Sequence, residues 1–190
     1  AFNIGGLFGP RDIAIMADGN LIIVDTGNKR LGIYDQSGSL QRIIGEEGDG
    51  HGQFREPSSI TISSSGAIYV ADYWNKRIQR FDSEMQYSGE FEVDSWGSRG
   101  TTDRAYIVAL ADGTILATDP ANGNILIFDV NGEEIAAWSL PSQAGTSRPI
   151  GIAVDPAEEN VYITDGLASQ VVRVPLAILL APPPPPDSTP

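Results

Sequence analysis

The chain has 190 residues with 12 basic and 25 acidic side chains, a formal net charge of −13 and a sequence pI near 4.3. So acidic a chain repels phosphate backbones and anionic headgroups, which excludes nucleic acid and membrane surfaces as expected partners. The absence of cysteine removes disulfides, thiolate metal sites and cysteine nucleophiles, and no run approaches the roughly 20 apolar residues of a membrane span.

The predicted elements fall into four units. The first has apolar strands at Asp12–Ile15, Leu21–Asp25, Arg30–Tyr34 and Leu40–Ile44, with a tight-turn signal at Asp18-Gly19 between the first two. The second repeats this at 59–62, Ile68–Asp72, Arg77–Phe81 and 86–91 around Ser65-Gly66. The third follows at 106–110, Ile115–Asp119, Asn124–Phe128 and 134–138 around Asp112-Gly113. The fourth has strands at 151–154, 161–165 and 170–174 around Glu159-Asn160, and no clear outer strand.

The second strand of each unit ends in an aspartate: Asp25, Asp72, Asp119 and Asp165, spaced by 47, 47 and 46 residues. Four short strands per unit, joined by hairpin-type links and repeated at this period, are the pattern of a β-propeller blade. Middle strands without polar alternation, such as Leu21-Ile-Ile-Val24, fit burial on both faces between neighbouring blades. The expected fold is therefore all-β, a β-propeller of four four-stranded antiparallel blades.

The residues carry a family resemblance. Phe54-x-x-Pro57, Ile68-Tyr-Val-Ala-Asp72 and Asn75-Lys-Arg-Ile-Gln-Arg-Phe81 resemble the NHL repeat, and so do Phe8-Gly-Pro10, Val24-Asp25 and Asn28-Lys-Arg30. The third unit departs from it at Arg104, where the proline would stand, and at Asn124, where the arginine would stand. The fourth keeps Pro149 and Asp165 but has Gln170 at the arginine position. The resemblance implies blades at about 7–53, 54–100, 101–147 and 148–175, with residues 176–190 as a Pro-rich tail. NHL-like propellers usually have about six blades. Four blades therefore imply either a ring latched by residues 1–6, completing the last blade, or an open arc completed by neighbouring subunits. The start at Ala1 rather than Met implies a removed leader or a piece of a longer chain.

Few residues suggest chemistry. The strict period of Asp25, Asp72, Asp119 and Asp165 points to a structural role, ending a strand and accepting turn N–H groups. Lys29-Arg30 and Lys76-Arg77 read as arginines bridging to adjacent blades and lysines left in water. The single histidine, His51, lies in a Gly-rich inter-blade loop without a nucleophile motif. With one histidine, the multi-histidine metal site of the amidating lyases that share this repeat is not expected. Glu46, Asp49, Asn75 and Asp119 are available as oxygen ligands, but their spacing singles out no site. Tyr73-Trp74 replaces Thr26-Gly27 of the first unit and so breaks the repeat, as functional positions do. These two residues are the candidate interaction surface.

The expected protein is non-enzymatic and cofactor-free, a structural or self-assembling extracellular propeller whose partner is a second copy. Pro182, Pro183, Pro184, Pro185 and Pro186 are the candidate subunit contact, and Ser188 or Thr189 the candidate glycan sites. A fragment of a ligand- or protein-binding sensor propeller is the alternative, with a metal-dependent hydrolase or lyase behind it.

Overall fold

A computed structural model describes residues 3–97, 103–140 and 147–181. Blade one is β1 (Asp12–Ile15), β2 (Leu21–Asp25), β3 (Arg30–Tyr34) and β4 (Leu40–Ile44). Blade two is β5 (Pro57–Ile62), β6 (Ile68–Asp72), β7 (Arg77–Phe81) and β8 (Tyr87–Glu92). Blade three is β9 (Ile107–Ala109), β10 (Ile115–Asp119), β11 (Asn124–Phe128) and β12 (Glu134–Ser139). Among the described residues blade four has three strands, β13 (Pro149–Val154), β14 (Asn160–Asp165) and β15 (Gln170–Pro175). Within each blade consecutive strands pair antiparallel. The inner strands face one another round the axis, β1 against β5, β5 against β9 and β9 against β13.

This meander gives each blade two ends. The turns between its first and second and its third and fourth strands lie at one, the hairpin end. The turn after its second strand and the linker into its first lie at the other, the linker end. Tight turning at the hairpin end needs positive φ, supplied by Gly19 at 85°, Gly66 at 83° and Gly113 at 92°. Blade four has no glycine there, and Glu158 takes the left-handed conformation at 54°. The turn thus closes from Asp155 to Glu158, ahead of the Glu159-Asn160 signal.

Three apolar layers join the blades. Ile22, Val24, Leu31 and Ile33 of blade one meet Ile60, Ile68, Val70 and Phe81 of blade two. Tyr69, Ala71 and Ile78 meet Ile107, Ile115, Ala117 and Phe128 between blades two and three. Leu116, Ile125 and Ile127 meet Val161, Ile163 and Val174 between blades three and four. Each Val, Leu, Ile or Phe among them, fully buried, contributes about 1.5–3 kcal/mol. Polar groups fix the register across these layers. Asp12 accepts from Ser59 Oγ at 2.6 Å and from the Ile60 N–H at 2.9 Å, and Ser58 Oγ donates to the Ala105 carbonyl at 2.7 Å.

The outer face of the first blade and that of the last are left uncovered. Ile13, Ile15 and Ile43 of blade one are exposed, as are Tyr162, Thr164 and Val171 of blade four. Burial therefore alternates along β14, whereas β6 and β10 are buried throughout. The N-terminal latch does not form among the described residues. Residues 3–6 are not strand, and the Gly6 carbonyl accepts from Arg30 Nη2 of blade one at 3.2 Å. Nor does the tail begin at 176. Leu176 and Leu179 of the one-turn helix α1 (Leu176–Leu179) are buried in the layer between blades three and four. A single turn offers no helical periodicity to read, so its two leucines pass for tail in the sequence. Pro182 to Pro186, Ser188 and Thr189 lie outside the described residues.

Candidate functional site

The four repeat aspartates build the linker end. Asp25 Oδ1 accepts the Phe8 N–H at 2.7 Å, and Oδ2 takes Asn28 Nδ2 at 2.8 Å and Arg30 Nε at 2.9 Å. Asp72 does the same with the Arg55 and Glu56 N–H groups, Asn75 at 2.7 Å and Arg77 at 3.3 Å. In these two blades the backbone donors come from the incoming linker, not from the turn that follows the aspartate. Burial pushes the Asp72 carboxyl above its ordinary value, against the opposing pull of these donors and of Arg77.

Arg30 and Arg77 pair within their own blades, not across to the next. Arg77 is buried and also meets Glu90 at 2.9 Å and the Asp49, Gly50 and Gln53 carbonyls, which pins the glycine-rich linker. Lys29, expected in solvent, is the side chain that crosses, reaching Glu56 of blade two at 3.1 Å.

That crossing leads to the break in the repeat. After β6 the chain makes a 3-10 turn, Tyr73–Asn75, closed by Lys76 in the left-handed region and held by the Tyr73 N–H on the Glu56 carbonyl at 3.0 Å. In blade one the same turn has Gly27, where a Cβ would lie 2.3 Å from the Phe8 ring. The Phe8 carbonyl, which accepts the Gly27 N–H, would lie 2.4 Å from that Cβ, whereas in blade two the turn is held on the Glu56 carbonyl and the position is open to Trp74. Trp74 is 45% exposed. Its ring lies 5.5 Å from Lys29 Nζ and 5.2 Å from the Arg104 guanidinium, within cation–π range. Beneath it Glu56, 5% exposed, gathers three cations: Lys29, Arg104 at 2.9 Å and Arg11 at 3.9 Å. Three blades thus converge on one exposed aromatic.

Tyr73, expected beside Trp74 on the surface, is fully buried and packs on Trp96 at 5.8 Å. Alternation at the turn sends one ring into the core and the other out. Trp96 is a core residue whose indole N–H donates to the Thr118 carbonyl at 3.2 Å, and Trp138 packs half-buried against the last layer. Lys29 and Arg104 are the site residues the repeat conceals: one looks like a solvated lysine and the other like a missing proline.

The oxygen-ligand candidates do not converge. Glu46 accepts from Gln53, Asp49 pairs with Arg55 at 3.3 Å, Asn75 holds Asp72, and Asp119 belongs to another blade. His51 stacks on Tyr87 with centroids 4.2 Å apart. Among the described residues no group of three or more His, Asp or Glu side chains is placed to hold a metal ion, and no helix is long and apolar enough to cross a membrane.

The hairpin end is rich in carboxylates. Asp18, Asp35, Asp82, Glu84, Asp112, Asp129, Asp155 and Glu158 all lie in its turns. Between blades one and two a cleft of about 190 Å³ there is lined by Met16, Ile62, Ile68, Ser83 and Glu84 among others. The basic residues Arg11, Lys29, Arg30, Arg55, Lys76, Arg77, Arg104 and Arg148 lie at the linker end, among the carboxylates Glu46, Glu47, Asp49, Glu56, Asp94 and Asp103 and the four strand-end aspartates.

Comparison with known proteins agrees with this architecture. A family model described as a 6-bladed beta-propeller matches residues 8–103. The human E3 ubiquitin-protein ligase NHLRC1 is 27% identical over 92% of this chain and 41% of its own length. Human NHL repeat-containing protein 3 is 30% identical over 88% of this chain and 50% of its own. The chain therefore spans half or less of these relatives. Among solved structures, Kuenenia stuttgartiensis hydrazine synthase superposes with a TM-score of 0.69 at 15% identity, over 94% of this chain and 49% of that one. Catalytically inactive virginiamycin B lyase from Staphylococcus aureus does so at 0.64 and 18%, over 89% and 56%. At such identities these two matches speak to fold alone.

Proposed function

The chain belongs to the NHL-type β-propeller family, and from that premise we propose that it is a non-enzymatic protein-binding module whose linker end docks an acidic segment of a partner. The observation that carries this is Trp74, held exposed between Lys29 and Arg104 over the buried Glu56. Exposed tryptophan flanked by cations is the composition of an interface hot spot. A carboxylate laid beside the ring meets the cations while an apolar neighbour covers the indole. The relative named as a ubiquitin-protein ligase fits a role exercised on other proteins.

The test is fluorescence anisotropy with a labelled glutamate- and leucine-containing decapeptide at low and high salt. Saturable binding that weakens with salt, and falls at least tenfold in both Trp74→Ala and Lys29→Glu, supports the reading. No binding, or binding indifferent to both substitutions, overturns it. A single-stranded RNA that outcompetes the peptide at the same surface also overturns it.

A second reading rests on the uncovered isoleucines Ile13, Ile15 and Ile43 of blade one. It makes the protein an extracellular, self-assembling subunit whose blade ends meet those of other copies. Light scattering across a wide concentration range decides it. Mass growing with concentration and abolished by Ile15→Glu supports assembly, and a constant mass of 20.3 kDa ends it.

A further inference from the structure

The strand-end aspartate has a constant task and, in blade four, an unfinished one. In blades one and two Oδ2 takes an asparagine amide and an arginine Nε. In blade three Asn122 remains on Oδ2, Asn124 stands where the arginine would be, and Asp119 Oδ1 has no partner, but that corner is covered by the next blade. In blade four both are gone: Ala168 occupies the asparagine position and Gln170 the arginine position. Asp165 Oδ1 is well served, by the Arg148, Leu167 and Ala168 N–H groups at 3.0, 2.9 and 3.1 Å. Oδ2 has no partner, although Asp165 is only 1% exposed. Arg148 does not fill the gap, because its Nη2 is on the Gly166 carbonyl at 3.3 Å and its Nε lies 3.0 Å from Asp103 Oδ2.

A buried carboxylate oxygen without a donor is unfavourable. Asp165 lines a shallow cavity of about 320 Å³ with Ile150, Thr164, Gly166, Ser169 and Val171. This cavity lies on the face of blade four that no other blade covers. Ser169 and Gln170, which also line it, are exposed.

We propose that this cavity is a socket for an arginine side chain of a partner protein, whose guanidinium supplies to Asp165 Oδ2 the donors that Arg30 and Arg77 supply in cis to Asp25 and Asp72. The molecule itself fixes the ligand chemistry, since the same carboxylate in the same fold takes an arginine Nε in the two intact repeats. An arginine fits better than a lysine because its planar fork reaches Oδ2 along the strand edge while its stem lies on Ile150 and Val171. This site is separate from Trp74, and neither depends on the other.

The experiment is a nuclear magnetic resonance titration of the 190-residue chain with N-acetyl-arginine methylamide, against the lysine analogue. Saturable shifts of the Gly166, Ser169 and Val171 amides, at least fivefold weaker with lysine, are expected. The double variant Ala168→Asn/Gln170→Arg rebuilds the donors in cis. It keeps the carboxylate and the fold, and is expected to lose the response at least tenfold. Asp165→Asn is expected to lose it as well. The proposal is overturned by absent or non-saturable shifts in the parent chain, by equal response to lysine, or by a response that survives in the double variant.

Discussion

Blades two and four place the same aspartate at the same strand end and surround it in opposite ways. In blade two, Asp72 lies between two covered faces, with every oxygen bonded and Arg77 tied to three linker carbonyls. In blade four, Asp165 lies at an uncovered end with one oxygen unpartnered and Gln170 at the arginine position. The fold tolerates the loss because the inter-blade layer of Val161, Ile163 and Val174, helped by α1, still holds the blade. The polar corner is thus a device for the linker, not for the blade. The corner is complete in blades one and two and is already thinned in blade three, where Asn124 replaces the arginine and Asp119 Oδ1 has no partner.

The largest test of this comparison is the arginine position. Arg77→Leu strips a buried network and leaves Asp72 charged without its partner, at a cost of about 3–5 kcal/mol. Gln170→Leu, at the equivalent place in blade four, changes stability by less than about 0.5 kcal/mol. Urea unfolding of the two variants measures both. Similar losses would show that the corner supports each blade alike.

The asparagine position sharpens the contrast at smaller scale. Asn75→Ala removes one charge-assisted bond to Asp72 and another to the Gly48 carbonyl, a loss of about 1–3 kcal/mol. Ala168→Asn runs the other way and adds about 1 kcal/mol, by giving Asp165 Oδ2 the donor that Asn28, Asn75 and Asn122 give elsewhere. Thermal unfolding that shows no gain would mean the blade-four turn cannot present an asparagine as the other turns do.

Much of this contrast was legible in the sequence, and the illegible part has physical causes. Period and turn chemistry located the strands because each blade repeats the same burial. Asn124 and Gln170 stood out as departures for the same reason. The inward turn of Tyr73 was not legible, because adjacent aromatic residues in a turn carry no period that says which is buried. The convergence of Lys29, Arg104 and Trp74 comes from three blades across about 75 residues of chain, and sequence separation of that size hides contact. The unpartnered oxygen of Asp165 needed both the substitution pattern, visible in the chain, and the open end, visible only in the fold.

The two carboxyls also separate by pH, which is the smallest effect and the most specific. Burial raises Asp72 in the folded state despite its N–H donors and Arg77. The folded protein therefore holds that proton more tightly than the unfolded chain. Acidification from above toward the unfolded value of about 3.9 then favours folding through this group, and its ionisation at neutral pH opposes folding. Asp165 runs in the opposite sense. Burial raises it, but the Arg148, Ala168 and Leu167 N–H groups and the Arg148 charge outweigh that and leave it lowered. Its stabilising contribution is full above about 3.9 and is lost as pH falls through the lower folded value. Urea midpoints followed from about pH 6 to 2.5 should fall more steeply at the upper end in Asp72→Asn than in the parent chain. They should fall less steeply at the lower end in Asp165→Asn. Parallel curves for the two variants would mean that the covered and the open corner impose the same electrostatics on their aspartates, and the distinction between them would then be one of packing alone.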